Sequence, residues 1–245
     1  MEDNKHADEH KFFEGPQKRT AEGAFMFKVG LEFIKGYRTF HFLGPCATVF
    51  GSARFKEDHI YYKQAREIGK RLAELGFVVM TGGGPGIMEA ANRGAKEGGG
   101  VSVGCNIVLP SEQKPNPYLD HWVGIKYFFV RKVLLTKYSC AFVVMPGGYG
   151  TLDEFLEAVT LMQTNKMRRF PVVLVGKEFH KELYAHLQSL IIQGTISKGD
   201  IELFLFTDSI DETIKHIADN SIDKVLQHPK HKPRWWLGEK RLRKD

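Results

Sequence analysis

The stretch CAFVVMPGGYGTLDEFLEAVTLM, residues 140–162, decides the fold. Six apolar residues, CAFVVM, run into a glycine cluster, and LDEFLEAVTLM leaves it with apolar positions at helical spacing. An almost wholly apolar run of that length reads as a strand buried on both faces, the habit of a parallel sheet. A plain strand-to-helix turn needs one glycine at most, yet this one holds Gly147, Gly148 and Gly150, followed by Thr151. A glycine has no Cβ, so a group from outside the chain can approach its backbone to hydrogen-bonding distance. The free N–H groups and positive dipole end of the helix that follows suit an anion, a phosphate above all.

The same rhythm extends outward. Apolar runs recur at ATVFG (47–51), FVVMT (77–81), VSVGCNIVL (101–109), HWVGIKY (121–127), PVVLVG (171–176) and LFLFT (203–207). Most intervals between them read as helices. In YYKQAREIGKRLAELG, Ala65, Ile68, Leu72 and Leu75 recur at helical spacing and Gly76 supplies the stop. In PGIMEAANRGAKEG, Pro85 is expected in the first turn, where a missing N–H costs nothing. Strands alternating with helices predict one Rossmann-like, doubly wound α/β domain with about seven mostly parallel strands and helices on both faces. It is expected over residues 43–228, after a charged arm (1–20) and a helix (21–42) and before a basic tail (229–245).

Ligands of such folds bind outside the carboxyl ends of the strands. The loops that matter are therefore GSARF (51–55), TGGGPGIMEAANRG (81–94) and PGGYGTLDE (146–154). They offer Ser52, Gly83, Gly84, Gly86, Gly147, Gly148, Gly150 and Thr151 as phosphate contacts, although the glycines also serve as turn residues. The dinucleotide pattern G-x-G-x-x-G fails in both clusters, since Ile87 and Asp153 occupy the third glycine's place, and no G-x-x-x-x-G-K-[ST] occurs. One phosphate group fits better than a pyrophosphate.

Glu154 reads two ways. Thr151 to Glu154 is T-x-x-E, a capping box. Leu152, Phe155, Leu156 and Val159 would form the buried face, leaving Glu154 off it, near the crevice and available for catalysis. Arg131 and Lys132 stand side by side in YFFVRKVLL, so one of them is expected to face solvent. Glu89 would sit in the first turn of its helix, favourable near the dipole. The ten histidines, expected mostly at termini or on helix surfaces, show no metal-ligand spacing, and no metal or other cofactor is expected.

Composition narrows the class. The 245 residues are 42% hydrophobic and 26% charged, which is globular, and no apolar run approaches a membrane span. The N-terminus has no apolar signal core, so a soluble cytoplasmic protein is expected. Cys46, Cys105 and Cys140 are odd in number and far apart, which predicts buried thiols rather than disulfides or zinc ligands. The formal net charge of +6 is concentrated at one end. Seven Lys or Arg face two acids between Lys230 and Asp245, leaving about +1 for the other 229 residues. The tail's Trp235 and Trp236 could stack bases, but docking on the protein is the better expectation, so no nucleic-acid or membrane partner is expected.

In order, T81-GGGPGIM-E89, Arg131-Lys132 and P146-GGYGTLDE-154 resemble the Lonely Guy family of phosphoribohydrolases, long labelled "lysine decarboxylase". The signature P-G-G-x-G-T-x-x-E is matched at Pro146, Gly147, Gly148, Gly150, Thr151 and Glu154. The resemblance covers roughly residues 45–220. It implies cleavage of a purine nucleoside 5′-monophosphate by water to free base and ribose 5-phosphate, with Arg131 and Glu154 as the catalytic pair and a homo-oligomer built on dimers. It also implies Glu89, Phe128 and Lys132 near the ribose or base. Many members carry methionine where Phe128 stands, which bears on the base pocket rather than the chemistry. Relatives resembling this fold also carry molybdenum cofactor without catalysis, and retention of both Arg131 and Glu154 argues against a pure carrier. Nothing marks a pyridoxal-phosphate lysine.

Overall fold

A computed structural model describes residues 12–109 and 114–226; the whole of the basic tail and the first part of the charged arm lie outside the described residues. A helix, α1 (Arg19–Phe40), leads into β1 (Cys46–Phe50), α2 (Ile60–Glu74), β2 (Val78–Thr81), α3 (Ile87–Glu97), β3 (Ser102–Ile107) and β4 (His121–Ile125). Then come α4 (Phe128–Tyr138), β5 (Ser139–Val144), α5 (Tyr149–Gln163), β6 (Val172–Val175), α6 (Lys177–Ile192), a 3₁₀ turn (Lys198–Leu203), β7 (Leu205–Thr207) and α7 (Ile210–Leu226).

The seven strands make one sheet in the order β4-β3-β2-β1-β5-β6-β7, and every pairing is parallel. All seven apolar runs became strands. Side chains alternate across the pleat, which splits the core into two layers. Phe50, Phe142 and Val144 face the side that holds Phe40, Leu134 and Phe155. Ala47, Val49, Ala141 and Val143 face the side that holds Ile68, Leu72, Ala91 and Ile217. Within the second layer α2 and α3 approach backbone to backbone: a Cβ on Gly69 would come within 2.2 Å of the Ala91 carbonyl oxygen, and one on Gly94 within 1.8 Å of that of Arg66.

The strand order fixes where a ligand can sit. From β1 the chain steps outward through β2, β3 and β4, then returns to place β5 on the other side of β1. The connections after β1 and β5 therefore diverge, and a crevice opens between them at the carboxyl ends of those strands.

Two expectations change. Helix α3 begins at Ile87 with Gly86 as its N-cap, so Pro85 precedes the helix rather than sitting in its first turn. Gly86 has φ +69°, which a proline-started helix does not anticipate. His180, expected on a surface, is buried, its Nε2 has no partner among the described residues, and burial lowers its pKa to about 4. The three cysteines are buried and unbridged, as composition implied.

Candidate active site

A cavity of about 730 Å³ fills the crevice between the β1 and β5 connections. Its wall takes Gly51 to Phe55 from the loop after β1, Gly82 from the turn after β2, Met88 from the first turn of α3, and Arg131 from α4. Gly147 to Leu152 and Glu154 come from the start of α5, and Phe179 from α6.

The start of α5 explains itself when its glycines are taken one by one. A Cβ on Gly147 would lie 2.1 Å from the Thr151 hydroxyl oxygen, so packing alone demands glycine there. Gly148 and Gly150 are different. A Cβ on either meets nothing within 4 Å, and Gly148 has φ −98°, a value open to any residue. Neither conformation nor packing accounts for these two glycines. They stand at the first turn of a helix whose opening N–H groups have no intrahelical acceptor, facing the cavity.

The turn after β2 is built for another purpose. Gly86 is held at positive φ, and a Cβ on it would strike the Ser52 carbonyl oxygen at 2.4 Å and Ala53 at 2.7 Å. Ile87 N–H donates to that same oxygen at 3.0 Å. A Cβ on Gly83 would lie 2.0 Å from Asn106 Oδ1, and Gly83 N–H donates to the Thr81 hydroxyl at 2.8 Å. Asn116 donates to the Gly84 carbonyl at 3.1 Å and to Asn92 Oδ1 at 2.9 Å. Gly83, Gly84 and Gly86 do not line the cavity; they shape a turn that buttresses the β1 loop and the buried Asn92–Asn116–Thr81 network.

Glu154 is nine-tenths buried and still reaches the cavity. The capping-box alternative fails: α5 begins at Tyr149, Gly148 is its N-cap without any side-chain cap bond, and Thr151 lies inside the helix. That earlier start also rotates the buried face. It consists of Thr151, Glu154, Phe155, Ala158 and Met162, while Leu156 is exposed. Glu154 Oε2 is buried with no hydrogen-bond partner among the described residues. Burial pushes its pKa up to about 7, with the charges of Arg131 and then Lys132 working against that rise.

The Arg–Lys pair divides its duties. Arg131 Nε donates to the Cys105 carbonyl at 2.9 Å, and its guanidinium lies over Gly82, where a Cβ would come within 2.5 Å of it. Lys132 does not line the cavity and bridges Asp153 at 2.9 Å and Glu157 at 3.1 Å. Glu89 accepts a hydrogen bond from the Tyr62 hydroxyl at 3.0 Å, Phe128 opens α4 half-exposed, and neither lines the cavity. Ser52 does line it, and its hydroxyl accepts from Arg54 N–H at 3.1 Å. Sequence reasoning missed Arg54, Tyr149 and Phe179. Arg54 was signalled by its place at the end of β1; Phe179 arrives from a separate helix and left no local sign. Among the described residues no group of three acids, cysteines or histidines could hold a metal ion, and no helix is long and apolar enough to cross a membrane.

A parallel α/β sheet with a glycine-rich helix start and a buried carboxylate at its switch point defines a Rossmann-like α/β protein. The profile of the family described as "Possible lysine decarboxylase" matches residues 88–217, and the chain belongs to that family, the Lonely Guy family. Among its relatives, the cytokinin riboside 5′-monophosphate phosphoribohydrolase LOG of Oryza sativa subsp. japonica is 30% identical over 175 residues, 69% of this chain and 70% of that protein. The probable enzyme of that name LOGL5, from the same organism, is 32% identical over 143 residues, and the match spans only 56% of each. The molybdenum cofactor carrier protein of Chlamydomonas reinhardtii is similar in structure, with a TM-score of 0.51 and 26% identity over 72% of this chain and 98% of that one. The molybdenum cofactor binding protein of Rippkaea orientalis has a TM-score of 0.55 and 24% identity over 72% and 96%, a likeness of fold alone.

Proposed function

We propose that this protein hydrolyses the N-glycosidic bond of a purine nucleoside 5′-monophosphate, adenine or N6-modified adenine being the base, and releases free base and ribose 5-phosphate. The observation that carries this reading is Glu154: a buried carboxyl with an unpartnered oxygen, in a cavity that also holds two unexplained glycines at a helix start. The names of the family relatives support it.

The chemistry follows from the residues. Breaking the bond at C1′ builds an oxocarbenium-like cation on the ribose. The Glu154 carboxylate stabilises that charge and orients the attacking water, at a site where low polarity strengthens the attraction. Arg131, pinned by Cys105, presents its guanidinium to the departing base. The 5′-phosphate lies against the backbone of Gly148 to Gly150 and the Thr151 side, so its binding energy positions the sugar. In this reading the active unit is a cytoplasmic homodimer or an assembly of dimers.

Incubating the full chain with AMP and a prenylated AMP, with no added metal or pyridoxal phosphate, and chromatographing for free base tests the proposal. Release of base together with ribose 5-phosphate is the expected result. Tight nucleotide binding without base release would put a carrier in its place.

A further inference from the structure

The cavity contains an arginine that neither the sequence patterns nor the proposed chemistry has used. Arg54 follows β1 by four residues and lines the cavity beside the α5 helix start. Its guanidinium forms no ion pair or hydrogen bond to the described residues, whereas Arg131 is anchored. The two cations in the wall are thus unequal. One is fixed next to Glu154, and the other is uncommitted.

The loop that carries Arg54 is held on three sides. Ser52 N–H donates to the Pro146 carbonyl at 3.0 Å, which ties the loop to the turn before α5. Ser52 carbonyl accepts from Ile87 N–H at 3.0 Å, which ties it to the start of α3. The Ser52 hydroxyl accepts from Arg54 N–H at 3.1 Å, a local turn that fixes where the arginine leaves the loop. Gly86 closes the third side by packing directly under Ser52 and Ala53. The backbone at position 54 is therefore set while its side chain is left to the cavity.

Charge decides what fits. The wall carries Arg54 and Arg131 against Glu154 alone, and the opening N–H groups of α5 add a positive dipole end. We propose that Arg54 is the phosphate-recognising cation of this site, closing over a phosphate monoester seated on Gly148 to Gly150 and selecting nucleotide over nucleoside. This deepens, and rests on, the reading of the cavity as a nucleotide site. The anchoring of Arg131 on Cys105 gives the two arginines distinct work: Arg131 serves the reacting end, Arg54 the phosphate end. A guanidinium can meet two phosphate oxygens at once, which a lysine cannot.

The test titrates full-length wild type, Arg54→Met and Arg54→Lys with ribose 5-phosphate by calorimetry, using adenine as an uncharged control. Arg54→Met should weaken ribose 5-phosphate about 10- to 100-fold, the loss expected for a charge-assisted contact, and leave adenine nearly as before. Arg54→Lys should fall between the two. In kinetics, KM for AMP should rise more than kcat falls, and the preference for AMP over adenosine should shrink by a similar factor. Equal ribose 5-phosphate affinity in wild type and Arg54→Met would overturn the assignment, as would an equal loss of adenine. Base release by wild type is scored separately: if it is absent while Arg54→Met still loses ribose 5-phosphate, the hydrolase reading falls and Arg54 stands.

Discussion

Replacing Glu154 by glutamine should spare the protein a loss of stability at high pH and make it far less active, and both effects trace to one buried oxygen. Burial raises the carboxyl from its ordinary 4.5 to about 7. Between those values the folded protein holds a proton that the unfolded chain has released. The stability from this group is complete below pH 4.5, declines as pH rises through 7, and stays lost above it. The interval is worth about 3 kcal/mol, and of that about 2.5 kcal/mol falls between pH 5 and pH 8. Glutamine does not titrate, so the variant escapes this loss. Its amide brings its own desolvation cost, but that cost does not vary with pH, and the neutral, buried His180 is common to both proteins and cancels.

The measurement is a denaturant melt of wild type and Glu154→Gln at pH 5 and pH 8. The stability difference between them should move in favour of the variant by about 2–3 kcal/mol, or about 5 °C or more in Tm for a chain of this size. Turnover of AMP by the variant should fall about 100-fold or more while the nucleotide still binds, because the carboxylate acts mainly on the transition state. Parallel stability profiles for the two proteins would refute the claim that this oxygen is a buried acid held near 7. Near wild-type turnover would refute its catalytic role even if the stability effect were present.

If the ionised carboxylate is the working form, kcat/KM for AMP should climb with pH through about 7, following the free protein's Glu154; a profile that falls across that range assigns the group an acid's role and contradicts the mechanism above. Adenosine should be a poorer substrate than AMP by about 10³-fold or more in kcat/KM, since it forfeits several charge-assisted hydrogen bonds; equal rates would mean that the glycines at the start of α5 serve no phosphate. Gly148→Ala and Gly150→Ala should fold as well as wild type, because a methyl meets open space at both, and should raise KM for AMP at least about 10-fold. Gly86→Ala should lower stability by about 1–3 kcal/mol, through a strained positive φ and a collision with Ser52, in a melt that leaves Gly148→Ala unaffected.

How much of this was legible in the chain depends on whether the information was local. The strands were, because a parallel strand buried on both faces writes itself as an unbroken apolar run, and Val143 and Val144 are equally buried on opposite faces. The placement of glycine loops at strand ends was legible too. The phase of α5 was not. Reading Thr151 as the cap put the helix start too late, and the apolar stripe Leu152–Phe155–Leu156 then seemed to face inward. The true inner face runs Thr151, Phe155, Ala158 and Met162, small and large residues at helical spacing, with Glu154 among them. That pattern was present in the sequence but weaker than the run of leucines. Gly86 was opaque for another reason: what forbids a side chain there is the carbonyl of Ser52, thirty-four residues earlier, and no pattern near position 86 records it.

The two glycine clusters look alike in sequence and do opposite things, and the strand order is what separates them. β2 lies on one side of β1 and β5 on the other. The turn after β2 folds under the β1 loop, so its glycines are consumed in letting two backbones touch. The turn after β5 diverges from that loop, so Gly148 and Gly150 are left facing space. Between them the β1 loop is bonded to both sides, through Ser52 N–H to Pro146 and Ser52 carbonyl to Ile87. A displacement of the first turn would therefore reach Arg54 and the phosphate end of the cavity without touching Glu154. Gly86→Ala, measured at a denaturant concentration where it remains folded, should raise KM for AMP with a smaller change in kcat. A loss confined to kcat would mean that the β1 loop acts on the reacting end instead, and that the division of labour between the two turns is wrong.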